Sequence, residues 1–227
     1  MLIEIPQLLS IEEVTSVRDI IERADWIDGR ATAGELASRV KRNAQVPEDS
    51  PQARQAGDII LRALGRNALF NSAALPWRVL PPLFNRYDTG MFFDAHVDGA
   101  VRSAPGLGTR MRADLSSTLF LTAPEDYDGG ELIIEDSYGV HAVKLAAGSM
   151  VLYPAGSLHR VSEITRGARL SSFFWTQSMI KEEGLRTTLY DLDRGIIELR
   201  KSVPSDAQGI LMLTGVYHNL LRRWAEL

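Results

Sequence analysis

Two histidines and one aspartate have residue types and spacing that suit a metal ion. His96 and Asp98 are two positions apart in FFDAHVDGA, and His159 lies in YPAGSLHRVSEI. Residues two apart on a β-strand point to the same face, so His96 and Asp98 could bind one ion. Two imidazoles and one carboxylate make the facial triad of non-haem iron, which leaves positions open for substrates, whereas structural zinc closes all four of its positions with protein ligands. On its own, the HVD tripeptide is equally compatible with a surface turn.

An arginine follows the second histidine at a distance that suits a bound carboxylate. Arg169 lies ten residues after His159, in GARLSSFFW. A strand leaving the metal and a hairpin return would bring its guanidinium near the site, where the planar fork can bind a carboxylate through two hydrogen bonds. A surface charge at the start of a strand is the alternative.

The other two histidines do not fit this pattern. His141, in GVHAVKL, alternates with apolar residues and is expected to face solvent, and His218 lies on the polar side of the final helical segment. We therefore expect structural or surface roles for both.

Composition limits the classes of function. The chain has no cysteine, which excludes thiolate metal sites, disulfides and a cysteine nucleophile. Its 25 basic and 29 acidic side chains give a net charge of -4, too small to attract nucleic acid or an anionic membrane at long range. The first residues, MLIEIPQLLSIEEV, lack a basic leader, and no apolar run approaches the ~20 residues of a membrane span. We expect a cytoplasmic protein without membrane or nucleic-acid partners.

The elements that must position these residues fall into three parts. Residues 1–74 read as a helical support, with one helix from Ser10 to Ile27 and another starting at Ser50-Pro51. Residues 75–178 contain short strand-like runs separated by turns, as in a barrel or sandwich. Residues 179–227 contain two amphipathic helical patterns on either side of a VPS break. We predict one domain over 1–178, with the metal-binding candidates in its strand-rich part, and a helical extension whose apolar stripes pack internally or mediate self-association.

A family resemblance adds to this interpretation. NRYDTGMFFDAHVDGAVR, DGGELIIED and GSMVLYPAGSLHRVSEITRGARLSSFFW resemble the prolyl-4-hydroxylase-like superfamily of 2-oxoglutarate dioxygenases, and within it the bacterial PKHD-type hydroxylases. The similarity covers residues 77–178. It implies an α+β fold with a mainly β core, a double-stranded β-helix or jelly roll, with N-terminal supporting helices and the C-terminal extension.

The resemblance also implies roles for particular residues. It assigns Fe(II) to His96, Asp98 and His159, and the far carboxylate of 2-oxoglutarate to Arg169. Tyr87 is expected at the start of the strand that carries His96, either near the co-substrate or as a core aromatic residue.

Three further positions follow from the same resemblance. The glycine pair Gly129 and Gly130 is expected to form a hairpin turn. Many related hydroxylases have a tyrosine where this chain has Phe120, so the second hydrogen-bond donor to the co-substrate is expected from Tyr153 or Ser171, or is absent.

The implied reaction consumes O2 and 2-oxoglutarate, releases succinate and CO2, and hydroxylates a substrate, with L-ascorbate as reductant. The segment Ala104 to Arg110, APGLGTR, is expected to act as a mobile loop that gates the site. The substrate is open between a peptidyl proline and a small molecule linked to iron uptake, because family does not fix substrate. A cupin-type metal oxygenase without 2-oxoglutarate and a non-catalytic iron or 2-oxoglutarate sensor are the alternatives.

Overall fold

The computed structural model describes residues 1–32, 41–103, 110–136, 139–204 and 207–227. Within these residues the α-helices are α1 Ile11–Glu22, α2 Pro51–Arg66, α3 Ala68–Ala74, α4 Glu183–Leu199 and α5 Gln208–Trp224. The strands are β1 Ile3–Ile5, β2 Ile27–Asp28, β3 Lys41–Arg42, β4 Ala44–Gln45, β5 Pro76–Val79, β6 Leu83–Asp88, β7 Phe92–His96, β8 Val101–Ser103, β9 Arg110–Arg112, β10 Leu115–Phe120, β11 Asp128–Gly129, β12 Leu132–Asp136, β13 Gly139–Val143, β14 Met150–Pro154, β15 Leu158–Val161, β16 Ile164–Arg166 and β17 Ala168–Ser178.

Two antiparallel sheets form the centre of the molecule. The larger sheet has the strand order β1-β14-β10-β17-β6-β4-β2, with β5 paired to β17 outside this path. The smaller sheet has the order β13-β12-β15-β7-β3. Apolar residues of both sheets share one buried cluster, so the sheets pack face to face without closing into a barrel. This arrangement confirms the predicted jelly-roll fold.

The prediction for the first helix is correct at its start and wrong at its end. The Ser10 hydroxyl accepts a hydrogen bond from the Glu13 N–H, and the Glu13 carboxylate accepts one from the Ser10 N–H, which together make a capping box at the predicted start. The helix ends at Glu22, because the chain is extended at Ile27, where it pairs with β4. Ile11 is 78% exposed at the first helical position.

The second helix begins as the sequence predicts. The Ser50 hydroxyl accepts a hydrogen bond from the Ala53 N–H, and Pro51 occupies the first turn, where its missing N–H costs nothing. The buried side of α2 joins α1 and α3 in a cluster that covers the outer face of the larger sheet. The helices therefore support the sheet from behind and leave its inner face for the site.

The N-terminal region also contributes strands that the sequence pattern did not reveal. β1 pairs with β14, and β4 with β6, both in the larger sheet, while β3 pairs with β7 in the smaller sheet. Each has only two or three residues, too few to show alternation. The consequence for the site is direct, because β3 extends the smaller sheet beside the strand that carries His96.

The C-terminal extension forms the two expected helices. Apolar side chains of α4 and α5 pack with Leu75 and Ile180 in a separate cluster. The N–H of Glu226, after α5, donates to the carbonyl of Met179, before α4, so the second helix returns along the first. Internal packing thus accounts for part of the apolar stripes. No helix in the described ranges is long and apolar enough to cross a membrane.

Candidate active site

The three predicted ligands come together between the sheets. His96 ends β7 and lies opposite His159 of β15 in the antiparallel register. One ligand atom from each of His96, Asp98 and His159 lies within 4.8 Å of the others. The prediction that Asp98 lies on the same strand as His96 is wrong, because β7 ends at His96. The Asp98 carboxylate is instead held by the Ser116 hydroxyl of β10, which donates to it at 2.6 Å.

Backbone carbonyls fix the orientation of both imidazoles. The Nδ1 atom of His96 lies 2.8 Å from the carbonyl of Asp94, and that of His159 lies 3.0 Å from the carbonyl of Ser157. A proton on each Nδ1 donates to its carbonyl and leaves the Nε2 lone pair for a metal. Burial, with the nearby His159, lowers the pKa of His96 to about 4, which keeps that ring neutral near pH 7. Both rings are therefore oriented for metal binding.

Arg169 is the most buried charged residue of the site. It lies on β17 in the larger sheet, opposite Tyr87 of β6, and is 1% exposed. Its Nη1 donates to the Ser171 hydroxyl at 2.7 Å, and that hydroxyl donates to Asn85 Oδ1 at 2.5 Å. Among the described residues, no carboxylate lies within ion-pair distance of the guanidinium, and its Nε has no partner. A buried charge without an anion is costly, so this environment suits an anionic ligand.

Two rings flank the guanidinium. The Arg169 Cζ lies 5.4 Å from the centroid of the Tyr87 ring and 5.1 Å from that of Phe120, in cation–π contact with both. Phe120, where many related hydroxylases have a tyrosine, thus contacts the arginine with a ring that carries no hydroxyl. Of the two suggested substitutes, Ser171 is bonded to Arg169 directly, while Tyr153 contacts His159, with ring centroids 5.2 Å apart.

Both tyrosines remain protonated. Burial is the main cause that raises the pKa of Tyr87, and burial together with the Asp98 carboxylate raises the pKa of Tyr153 well above its ordinary value. Each therefore keeps its phenolic proton and can donate a hydrogen bond. The prediction that Tyr87 starts the strand carrying His96 is wrong, because Tyr87 lies on β6 and His96 on β7.

One cavity of about 870 Å³ joins these groups. His96, Asp98, His159 and Arg169 all line it, and so do residues that the sequence reasoning did not select. Among the latter are Lys41, Asn85, Arg102, Ser116 and Trp175. Burial lowers the pKa of the Lys41 ammonium to about 8. Of these five, only Trp175 has a signal in the sequence: it lies at an alternate position of β17 from Arg169, and alternate residues of a strand share a face.

Comparison with known proteins decides the family. Residues 82–177 match the 2OG-Fe(II) oxygenase superfamily, and residues 183–226 match the C-terminal domain of PKHD-type hydroxylases. A PKHD-type hydroxylase of Methylobacterium nodulans is 60% identical over 227 residues, which cover 100% of both chains. The chain belongs to the PKHD-type hydroxylases. It is accordingly an oxidoreductase, a 2-oxoglutarate- and iron(II)-dependent hydroxylase, as the sequence resemblance implied.

Solved structures support the fold of this PKHD-type hydroxylase. A Pseudomonas putida prolyl-4-hydroxylase has a TM-score of 0.52 at 20% identity, over 78% of this chain and 92% of that one. A Streptomyces hygroscopicus protein, crystallised with nickel, 2-oxoglutarate and hygromycin B, has a TM-score of 0.54 at 16% identity, over 80% and 84%. At these identities the likeness shows the jelly-roll fold alone.

The residues present in the hydroxylase fit the two groups that its family uses. Two imidazoles oriented through Nδ1 and a carboxylate form a nitrogen and oxygen donor set suited to iron(II) with open positions. Arg169 offers a buried guanidinium without a carboxylate partner among the described residues, as binding the far carboxylate of 2-oxoglutarate requires. The three metal ligands and Arg169 line one cavity, so a single co-substrate molecule can contact both the metal and the guanidinium.

Four further expectations have different outcomes: two are wrong, one lies outside the described residues, and the one for His141 and His218 agrees with the structure. Arg169 does not return by a hairpin from His159, since β15 and β17 belong to different sheets. Gly129 and Gly130 do not form a hairpin, because β11 pairs with β16 whereas β12 belongs to the smaller sheet. Residues 104–109 of the expected gating loop lie outside the described residues. His141 and His218 are exposed and do not line the cavity.

Proposed function

We propose that His96, Asp98 and His159 bind Fe(II), and that Arg169 binds the far carboxylate of 2-oxoglutarate, in a hydroxylase acting on an unidentified substrate. The observation that carries this proposal is the shared cavity, which has three convergent ligand atoms on one wall and a buried guanidinium on the other. Membership of a hydroxylase family disfavours both the cupin-type oxygenase and the non-catalytic sensor.

Each protein group has a defined task in this proposal. Iron(II), held by His96, Asp98 and His159, would supply the activation of O2 that accompanies conversion of 2-oxoglutarate to succinate and CO2. Ser116 holds the Asp98 carboxylate toward the imidazoles. Ser171 and Asn85 hold the Arg169 fork, and the Tyr87 ring lies over it. The sheets on both sides limit the access of water to the reacting C–H bond.

The proposal extends to the substrate and the reductant. The related structures include a prolyl-4-hydroxylase and a protein with bound hygromycin B. A peptidyl proline and a small molecule therefore both stay candidates for the hydroxylated group, and the family resemblance adds the suggestion that the small molecule is linked to iron uptake. We also propose L-ascorbate as reductant and a cytoplasmic location; an assay with and without ascorbate and fractionation of cells test these two points.

The organisation of the chain is a further proposal. We propose a dioxygenase domain over 1–178, with its helical support over 1–74 and core over 75–178, and a helical extension over 179–227. The α5 helix exposes Leu211, Met212 and Val216, with Leu211 58% and Met212 63% exposed. Such apolar side chains on one helix support self-association through the extension. Light scattering of the purified protein tests it, and a monomer at all concentrations would contradict it.

The decisive experiment measures metal and co-substrate binding separately before turnover. Anaerobic titrations with Fe(II) and 2-oxoglutarate, followed by an O2-dependent succinate assay, are made on wild type, His96→Ala, Arg169→Ala and the control His141→Ala. His96→Ala should lose tight Fe(II) binding and succinate formation, because it removes one of three ligands. Arg169→Ala should weaken 2-oxoglutarate at least tenfold with little change in Fe(II) affinity. His141→Ala should match wild type.

Two results would contradict the proposal. Unchanged succinate formation by His96→Ala would remove this histidine from the metal site. Equal losses of Fe(II) and 2-oxoglutarate binding in Arg169→Ala, with a lower melting temperature, would point to a folding defect instead of a lost contact.

A further inference from the structure

The inner face of β17 carries a series of cavity-lining side chains that ends far from Arg169. Residues at alternate positions of a strand share a face, and Arg169, Ser171, Phe173 and Trp175 all line the cavity. Trp175 lies six positions after Arg169 on the strand, roughly 20 Å away at about 3.3 Å per residue. 2-Oxoglutarate bound between Arg169 and the metal therefore leaves the Trp175 end of the cavity for another molecule.

Arg102 is the cation at that end. Its Cζ lies 3.6 Å from the centroid of the Trp175 ring, so the guanidinium stacks on the indole. A Cβ placed on Gly99 would lie 3.9 Å from Arg102 Nη1, which puts the guanidinium beside the loop that follows Asp98. Stacking uses the face of a guanidinium, so the N–H groups at its edge can still donate to another molecule.

Arg102 has no acceptor of its own in the part of the chain that the structure describes. Its guanidinium forms no hydrogen bond or ion pair with the described residues, although the charges of Asp98 and Glu48 act on it from further away. Burial lowers the pKa of its guanidinium, yet an arginine stays charged near pH 7. A half-buried cation with unused donors at the rim of an active-site cavity is suited to bind an anion.

Lys41 adds a second positive charge beside it. Its ammonium donates to Gln45 Oε1 at 2.9 Å and lies 5.3 Å from the Phe93 ring centroid and 6.0 Å from that of Phe173. Arg102 is close enough for its charge to disfavour the protonated form of Lys41. An anion between the two cations would relieve this repulsion. The aromatic rings around them would contact the apolar part of the same molecule.

We propose that the substrate carries an anionic oxygen group, a carboxylate or a phosphate, which Arg102 binds at the Trp175 end of the cavity, with Lys41 contributing positive charge. This inference rests on the proposed function, because it assigns the Arg169 end to 2-oxoglutarate. The anion would fix which C–H bond of the substrate faces the metal ligands. The competing explanation is structural: the Arg102 side chain packs over the Trp175 indole and binds no ligand.

The test uses matched probes that differ in charge. Zn(II) replaces Fe(II) so that no turnover occurs, 2-oxoglutarate is saturating, and dissociation constants are measured by saturation-transfer NMR. The probes are benzoylglycine and its amide, which differ only in the carboxylate, and phenyl phosphate with phenol as its neutral counterpart. The proteins are wild type, Arg102→Gln, Arg102→Lys and Arg42→Gln. Arg42 is the matched control, since it also lies over a ring, that of Phe92, but does not line the cavity.

Wild type should bind at least one anionic probe about tenfold or more tightly than its neutral counterpart, as charge-assisted hydrogen bonds allow. The ratio of the dissociation constants of the neutral and anionic probes should fall to about one in Arg102→Gln, take an intermediate value in Arg102→Lys and equal the wild-type ratio in Arg42→Gln. The pair that shows the larger preference distinguishes carboxylate from phosphate. No preference in wild type, or the same preference in Arg102→Gln, would overturn the inference.

The affinity for 2-oxoglutarate separates this inference from the proposed function. Arg102→Gln should bind 2-oxoglutarate like wild type, measured by calorimetry on the same zinc protein. A parallel loss of 2-oxoglutarate would mean that Arg102 serves the co-substrate and would overturn the inference alone. Failure of wild type to bind 2-oxoglutarate would overturn the proposed function, before any probe is added.

Discussion

The buried guanidinium of Arg169 shows how single residues define this site. Its hydrogen bond goes to a hydroxyl and its flat faces meet rings, so the described residues give the charge polar and aromatic contacts but no opposite charge. An ion pair within the protein would have satisfied the arginine permanently and removed it from ligand binding. The Ser171 hydroxyl, itself held by the Asn85 amide oxygen, fixes the fork while leaving its charge for a bound carboxylate.

Ser116 offers a test of how the carboxylate ligand is positioned. Because Asp98 lies beyond the end of β7, its orientation depends on the hydrogen bond from the Ser116 hydroxyl. We expect Ser116→Ala to weaken Fe(II) binding about 10- to 100-fold, the usual effect of losing a residue that orients a ligand. Anaerobic metal titration measures it.

Ser117→Ala is the matched control for this prediction. Ser117 is the next residue of the same strand, is equally buried and has a hydroxyl without a hydrogen-bond partner in the described structure. Its removal should leave Fe(II) affinity unchanged. An equal loss in both variants would show that the strand, and not the hydrogen bond to Asp98, accounts for the effect.

At the level of elements, the sequence predicts the parts whose signal lies in one segment. The strands that contain LSSTLF, LIIED and MVLYP follow from apolar and β-branched runs, and Ser10 and Ser50 mark two helix starts. The strands β2, β3 and β4 could not be predicted, because two residues carry no period and are fixed only by their partners.

The site shows the same limit. Residue types and spacing point to His96, Asp98 and His159, but Ser116 and Asn85 meet their partners only through strand register. The pairing of Arg169 with Tyr87 is likewise a property of the β6 and β17 register and not of either segment. Local patterns therefore identify the chemistry, while tertiary pairing selects the residues that orient it.

Gly130 lies in the connection between β11 and β12, close to the side chain of Arg169. It has φ +67°, and a Cβ there would lie 3.1 Å from Arg169 Cδ and 2.3 Å from Ile164 Cδ1. Gly130→Ala would therefore clash with Ile164, push against the Arg169 stem and strain the backbone by roughly 1–2 kcal/mol. We expect 2-oxoglutarate to bind at least tenfold more weakly, with Fe(II) affinity less affected, as calorimetry can measure.

The control for Gly130 is another glycine with a similar backbone. Gly90 has φ +84°, and a Cβ there would have no neighbour within 4 Å. Gly90→Ala should lower the free energy of unfolding through backbone strain but keep the affinity for 2-oxoglutarate. If both variants lost 2-oxoglutarate binding equally, general destabilisation and not contact with Arg169 would be responsible.

For the whole molecule, the division of the site between two sheets predicts coupled binding and stability. The histidine ligands lie on β7 and β15 of the smaller sheet, and Arg169 lies on β17 of the larger one. A metal alone would reach the larger sheet only indirectly, through the hydrogen bond of Asp98 with Ser116 of β10, whereas 2-oxoglutarate that contacts both the metal and Arg169 would connect the two sheets directly. Each ligand stabilises the folded state by mass action, about 2.7 kcal/mol at 100 times its dissociation constant.

We therefore expect the melting temperature to rise more with Mn(II) and 2-oxoglutarate together than the sum of the two separate shifts. Each bound group should tighten the other, since metal supplies one end of the co-substrate site and Arg169 the other. Scanning calorimetry of the protein without ligand, with Mn(II), with 2-oxoglutarate and with both measures the coupling in wild type and in Arg169→Ala. The variant should keep the shift with Mn(II) and lose most of the excess, because the larger sheet then has no guanidinium to contact 2-oxoglutarate. Additive shifts in wild type would mean that the co-substrate does not link the sheets.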